Sequence, residues 1–216
     1  MKNQVVPRRA ATRRVRARRG EGEKLREQII EAAERILLRT ADEEAVSIRA
    51  VADAIGVTPP SIYLHFTDKN DLLFAICERH FELLDKAMET AGARTSDPIE
   101  SIKLRGIAYV NFGLEHPEQY RILFMRKPAD TPAGFKDERL MKSASFDHVV
   151  EAVQRCVDAG LMEGDARMHA LFLWALVHGL TSLLISKPDF AWPPVDALIE
   201  SVCGAPFEGL AKKPRA

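Results

Sequence analysis

The stretch Ile48–Phe66, IRAVADAIGVTPPSIYLHF, constrains the fold more than any other part of the chain. Ser47 is a residue type that caps helix N-termini, and a helix is expected from there to about Ile55. Gly56 follows, where a left-handed residue would close that helix. Thr58 can cap a further helix, with Pro59 in its first turn, where a missing N–H costs nothing. This second helix is expected to end near Phe66. Two short helices that meet at a glycine need a small residue where the backbones approach, and apolar residues that lock their angle. Ala52, four residues before Gly56, supplies the first, and Val51, Ile55, Val57 and Ile62 supply the second. The spacing is that of a helix-turn-helix, whose second helix enters the DNA major groove. A generic helical hairpin has the same spacing.

The rest of the chain reads as helix after helix, without strand alternation. Leu25, Ile29, Ala32, Ala33, Ile36 and Leu37 recur at helical spacing from Glu23 to Arg39, and a break follows at Thr40–Val46. Asp68 and Asp71 resemble a capping box that opens a long helix to about Ala91. Beyond a short Gly-Ala-Arg-Thr-Ser break, Asp97-Pro98 starts a helix to about Glu115, and Pro117 opens a brief one through Phe124. Lys127–Gly134 reads as a loop. A seventh helix is expected over about Lys136–Ala159, stopped by Gly160. Asp165 caps an eighth to about Ser186, and a ninth covers about Val195–Leu210 after a loop at Lys187–Pro194. Nine helices with short connections make an all-α protein.

The formal net charge of zero conceals a strong asymmetry. The first twenty residues carry eight Lys/Arg and no acid, which leaves the remainder at −8. A basic arm on an acidic body suits a nucleic-acid-binding tail, and a solubilising leader would have the same composition. Over residues 23–91 eight Lys/Arg face fourteen Asp/Glu, so the segment with the helix-turn-helix spacing is itself acidic. Arg49 and Lys69 are the main cations left near its groove face. The arm, with Arg13, Arg14, Arg16, Arg18 and Arg19, is therefore expected to supply much of any phosphate contact, for instance by lying in the adjacent minor groove. It lacks the interleaved aromatics of a membrane-surface helix.

The sequence GVTPPSIYLHFTDKNDLL resembles the DNA-binding signature of the TetR family, carried here by Gly56, Val57, Thr58, Ile62, Tyr63, His65, Phe66 and Lys69. The resemblance implies a nine-helix architecture. After a basic arm (1–22), a three-helix DNA-binding domain (23–70) precedes a helical ligand-binding and dimerisation domain (71–216). It implies a dimer on a palindromic double-stranded DNA operator, held through a recognition helix at 59–65. Ser47 and Arg49 then face phosphate, Thr58, Pro60 and Ser61 sit where base edges are reached, and Tyr63 and Lys69 look like phosphate contacts. His65 either contacts a phosphate or packs locally, and Pro60 either meets a thymine methyl or stiffens the helix start. In place of the family's glycine and aromatic after the first helix stand Asp42 and Glu43; aspartate tolerates the left-handed conformation, but the aromatic's packing must come from elsewhere.

The segments EHPEQYRILF (115–124) and LWALVHGL (173–180) resemble the family's C-terminal domain with a Trp-His-Gly motif, here Trp174, His178 and Gly179. Gly179 costs about 1 kcal/mol relative to alanine inside a helix, which points to a close approach by another helix or a ligand. His178 lies on the same face as Trp174 and is either a hydrogen-bonded core residue or a ligand contact. A ligand cavity is expected among the fourth to eighth helices, lined by Met88, Tyr109, Phe112, Tyr120, Phe124, Met125, Phe146, Trp174 and His178. Its occupant would be small and mostly apolar. The resemblance implies homodimerisation through the eighth and ninth helices, with Leu176, Leu180, Leu183, Leu184, Leu198 and Val202 as contributors.

Other function classes find little support. There is no phosphate-binding glycine loop, HExxH, GxSxG or calcium loop, so neither an enzyme, a metal site nor a cofactor is expected. Cys77, Cys156 and Cys203 form no CxxC pair, which suits a reducing cytoplasm. No window offers about 18 uninterrupted apolar residues for a membrane span, and the basic start is not followed by the apolar stretch of a secretory signal. The remaining alternative is a helical small-molecule-binding protein that lacks sequence-specific DNA recognition.

Overall fold

The computed structural model describes residues 21–40, 42–124 and 144–210, and these form nine α-helices and no strand. They are α1 (Glu21–Thr40), α2 (Ile48–Ile55), α3 (Pro59–Ile62), α4 (Lys69–Gly92) and α5 (Pro98–Glu115). There follow α6 (Pro117–Phe124), α7 (Ala144–Asp158), α8 (Ala166–Ser186) and α9 (Val195–Leu210). The arm arginines 13, 14, 16, 18 and 19, the expected loop at 127–134, the expected start of the seventh helix at 136 and Met125 lie outside the described residues.

The head is built from α1, α2, α3 and the first half of α4. In α1 the buried residues Ile29, Ala32, Ala33, Ile36 and Leu37 form one stripe. They pack with Val46, Val51, Ala52, Ile62 and Phe66 and with Leu72, Leu73 and Ile76 of α4. Val46 supplies the buried apolar side chain of the turn after α1. There Asp42 Oδ1 accepts from the Glu44 backbone N–H at 2.9 Å. The second half of α4 enters the body core through Leu84 and Met88. One helix, beginning at Lys69, thus serves two cores.

In the body α5 is central and packs against α4, α6, α7, α8 and α9. Two glycines set its distances. A Cβ on Gly92 would stand 2.4 Å from Arg105 Nε, so Arg105 crosses α4 over bare backbone to pair with Glu89. A Cβ on Gly113 would stand 2.3 Å from Thr181 Cγ2 and 3.0 Å from the Tyr120 ring. Among the described residues the close approach expected at Gly179 is not made, because none lies within 4 Å of its Cβ direction.

By length and composition α8 could cross a membrane, since its polar residues interrupt the run without lowering its mean hydropathy enough. It is placed here as the bundle helix between α5, α7 and α9, capped by Asp165, whose carboxylate accepts from the Met168 N–H at 2.8 Å. Gly160, with φ 69°, ends the turn after α7.

Candidate DNA-binding face and effector cavity

Gly56 adopts φ 70°, ψ 31°, and the Val57 N–H returns to the Ala52 carbonyl at 3.0 Å. With Ala52 and Ile62 fully buried beneath the turn, the angle between α2 and α3 is fixed by packing. Ser47 is the N-cap of α2: its hydroxyl accepts from the Ala50 N–H at 3.1 Å, and its exposed side chain stands beside the free first-turn N–H groups. Arg49, Thr58, Pro60 and Tyr63 are exposed, while Ser61 and His65 are half-buried. Thr58 makes no side-chain cap to the backbone; its Oγ1 lies 3.1 Å from Ser61 Oγ. Phe66 is core, with the Arg26 guanidinium 5.2 Å above its ring.

The recognition segment is shorter as a regular helix than the expected 59–65. Regular α-helix stops at Ile62, and Tyr63–His65 form a tight turn in which the His65 and Phe66 N–H groups both reach the Ile62 carbonyl. The turn delivers Phe66 inward to the head core, so the helix cannot run on past it. The same turn carries Leu64, 81% exposed, on the outer surface. Sequence reading passes over Leu64, since the family pattern leaves its position unspecified.

Lys69 does not reach outward freely: its Nζ is 2.9 Å from Glu44 Oε1. His80 on α4 and Glu34 on α1 meet under the head, with Nε2 to Oε1 at 3.3 Å. Burial, then Arg79 and His116, pushes His80 down to about 4, and burial raises Glu34. Both effects favour an uncharged pair at this junction. Sequence reading misses it, because neither residue belongs to a local motif.

The body holds a partly open cavity of about 340 Å³. Of the expected lining, Met88, Tyr109, Phe124, Phe146, Trp174 and His178 are on its wall. Phe112 and Tyr120 are not. Phe112 is buried with its ring 4.9 Å from that of His116, and Tyr120 is fully buried behind His178. Phe81, Leu84, Ile102, Leu123, Val149, Leu173, Val177 and Phe207 complete most of the apolar wall. Lys103 and Arg105 also reach it, but each is ion-paired, to Glu200 and Glu89 respectively.

The residues expected at a dimer interface divide. Leu180 and Leu184 are buried within the protomer with Val110, Ile199 and Cys203, because that side of α8 faces α5 and α9. Leu176 and Val202 line the cavity, Leu198 is half-buried, and Leu183 alone of the six is exposed. Met168 and Phe172 are further exposed apolar residues of α8. Elsewhere, Asp85, Glu89 and His148 bring ligand-type atoms within 4.8 Å of one another. Their contacts are internal: His148 Nδ1 lies 3.0 Å from Asp85, and Glu89 pairs with Arg105.

Residues 29–76 match the sequence profile of bacterial regulatory proteins of the tetR family, and residues 103–204 match the tetracyclin repressor-like C-terminal domain. The chain belongs to the TetR family. Members are DNA-binding transcription regulators that join a helix-turn-helix head to a ligand-binding body, and the two profiles match the head and the body of this chain in that order. The HTH-type transcriptional activator FasR of Mycolicibacterium smegmatis is 30% identical over 133 residues; the match spans 61% of this chain and 59% of that protein. A protein of unknown function from Rhodococcus sp. RHA1 superposes with a TM-score of 0.75 at 28% identity, covering 87% of this chain and 96% of that one. The fatty acid degradation regulator FadR from Bacillus halodurans shares the TetR fold at a TM-score of 0.68 and 19% identity, over 85% and 98% of the two chains.

Proposed function

We propose that the protein is a ligand-responsive transcriptional regulator that binds a palindromic operator as a homodimer. The observation that carries this reading is the fixed α2–α3 turn at Gly56, which presents Thr58, Pro60, Ser61 and Tyr63 from one protein surface. Ser47, Arg49, His65 and Lys69 border that surface and would contact phosphate, with the basic arm adding more. Each dimer would place two such surfaces on half-sites one helical turn apart or a multiple of it. The subunits would pair along the open sides of α8 and α9, where Leu183, Met168 and Phe172 are exposed and Gly179 and Gly204 leave space.

The cavity, walled largely by apolar side chains, would take a small and mostly apolar effector. Trp174 and His178 lie on its wall, which fits the Trp-His-Gly reading of this segment. Filling the cavity would shift the population of α4 positions, because Phe81, Leu84 and Met88 of α4 face it while Leu72 and Ile76 of α4 belong to the head core. Acting on DNA, the protein would work in the cytoplasm, and its three cysteines are buried free thiols, as suits a reducing compartment.

A footprint and mobility-shift titration on DNA flanking its own gene tests the reading. Protection of a short inverted repeat is expected; weak binding indifferent to sequence would mean an operator elsewhere or an arm that is a non-specific tether, and the same result across genome-wide fragments would leave only the alternative of a ligand-binding protein without DNA recognition. Repression is the expected output. Activation is the second reading, favoured by the name of the FasR relative, and a reporter fused to the protected promoter separates the two by the sign of its response.

A further inference from the structure

A chain of polar groups runs along the wall of the apolar cavity and passes behind it at Tyr120. It begins at Trp174, whose indole Nε1 can only donate, and which gives its proton to the Tyr109 hydroxyl at 3.3 Å. The Tyr109 hydroxyl lies 3.3 Å from that of Tyr120, and the Tyr120 hydroxyl lies 2.7 Å from His178 Nδ1. Each hydroxyl can donate and accept; the arrangement in which Trp174, Tyr109 and Tyr120 each donate once along the chain has Tyr120 donating to Nδ1. Donors aligned in one direction polarise one another, and the shortest contact falls at the end of the chain. Two longer contacts, Tyr109 to Nδ1 at 3.2 Å and Tyr120 to the His178 carbonyl at 3.3 Å, converge on the same residue.

Burial holds His178 below the ordinary histidine range, so its imidazole carries one proton at neutral pH. With Nδ1 accepting, that proton sits on Nε2. Among the described residues none hydrogen-bonds Nε2, and the ring is part of the cavity wall. The cations at the wall, Lys103 and Arg105, already hold Glu200 and Glu89. In that arrangement the cavity offers a neutral donor at Nε2, while Arg105 Nε, buried without a hydrogen-bond partner, lies over Gly92 of α4.

We infer that His178 Nε2–H is the donor that recognises the effector, and that the effector is an apolar molecule bearing an uncharged acceptor, such as a ketone or ester carbonyl. Trp174, Tyr109 and Tyr120 are positioning residues that fix the tautomer. The inference rests on the effector-cavity reading above.

The test uses the full-length protein and two probes of equal chain length, octane and 2-octanone, followed by tryptophan fluorescence. The quantity read is the ratio of their dissociation constants in each variant, which cancels their different affinities for water. His178→Phe is expected to shift that ratio against the ketone by roughly tenfold, the effect of one hydrogen bond. His178→Gln, which keeps a donor near the Nε2 position, is expected to preserve it, and Tyr120→Phe to shift it part of the way. Octane binding serves as the folding control for each variant. An unchanged ratio in His178→Phe and Tyr120→Phe, with both probes bound, overturns the donor assignment and leaves the cavity reading intact. Failure of the wild-type protein to bind either probe overturns both.

Discussion

Lys69 Nζ lies 2.9 Å from Glu44 Oε1, so the lysine that opens α4 is already engaged by the turn after α1. The Glu44 side chain is 90% exposed, and such a pair contributes only about 0–1 kcal/mol, so a phosphate can displace the glutamate. Lys69→Ala is expected to weaken operator binding and to reduce the salt slope by about 1. Glu44→Gln should strengthen binding, since it frees the lysine and removes an acid from the same surface. Mobility-shift titrations at several salt concentrations read both; an unaltered slope in Lys69→Ala would take Lys69 out of the phosphate contacts.

Because residues 23–91 carry more acids than bases, the proposed arm contacts would be the larger electrostatic contribution to DNA binding. Removing residues 1–20 deletes eight cations and no acid. The salt dependence of operator binding should flatten markedly, by roughly 0.9 in slope for each phosphate that the arm neutralises. If the truncated protein keeps the full slope, the arm does not touch DNA.

Gly113 is expected to tolerate no side chain. A methyl there would meet Thr181 Cγ2 at 2.3 Å and the Tyr120 ring at 3.0 Å, and overpacking of this kind costs about 1–3 kcal/mol. Gly113→Ala should lower the denaturation midpoint accordingly. Gly113→Ala in a Thr181→Ser background, which removes Cγ2, serves as the contrast; an equal loss with and without Cγ2 would mean that Thr181 is not what the methyl meets.

Acid should loosen the junction between α1 and α4. His80 ordinarily titrates near 6.5 but is pushed down to about 4 by burial. Its folded form therefore favours neutrality, and its contribution to stability is present above about pH 6.5 and is lost as pH falls toward 4. The slope can reach about 1.4 kcal/mol per pH unit for one group. Urea denaturation from pH 7 to 4.5 measures it. His80→Leu should show a shallower loss over that range, and parallel curves for the two proteins would rule His80 out as the source.

The exposed α8 side chains predict a concentration-dependent dimer. Leu183→Arg introduces a charge at a position 50% exposed in the protomer, so it should leave protomer stability near wild type while shifting the sedimentation profile toward monomer. Leu184→Arg, at a position buried within the protomer, should instead disrupt folding. A Leu183→Arg protein that sediments like wild type would place the subunit contact elsewhere.

Helix identity and many boundaries are legible in the sequence because the punctuation is local. Ser47, Gly56, Asp68, Asp97, Asp165 and Gly160 each act within a few residues of themselves, and each caps or ends the element expected. Side-chain destinations are less so. Helical periodicity on α8 marks its leucines as apolar, but the direction each faces depends on where α5 and α9 pack, and so Leu180 and Leu184 turn inward while Leu183 does not. Aromatic character suggests Tyr120 for the cavity wall; it belongs behind the wall, bonded to a histidine 58 residues away. Gly113 carries no motif, and its role exists only once Thr181 arrives from another helix.

The continuity of α4 across both cores has a mechanical consequence. Its 24 residues make a rod roughly 36 Å long at about 1.5 Å per residue. A tilt of about 5° about the body end carries the head end through roughly 3 Å, close to the ~3.4 Å rise of one base along a DNA strand. With such a lever, an effector that displaces Leu84 or Met88 by a fraction of an ångström can throw the two heads of a dimer out of register with their half-sites, and no part of the head need change its own shape.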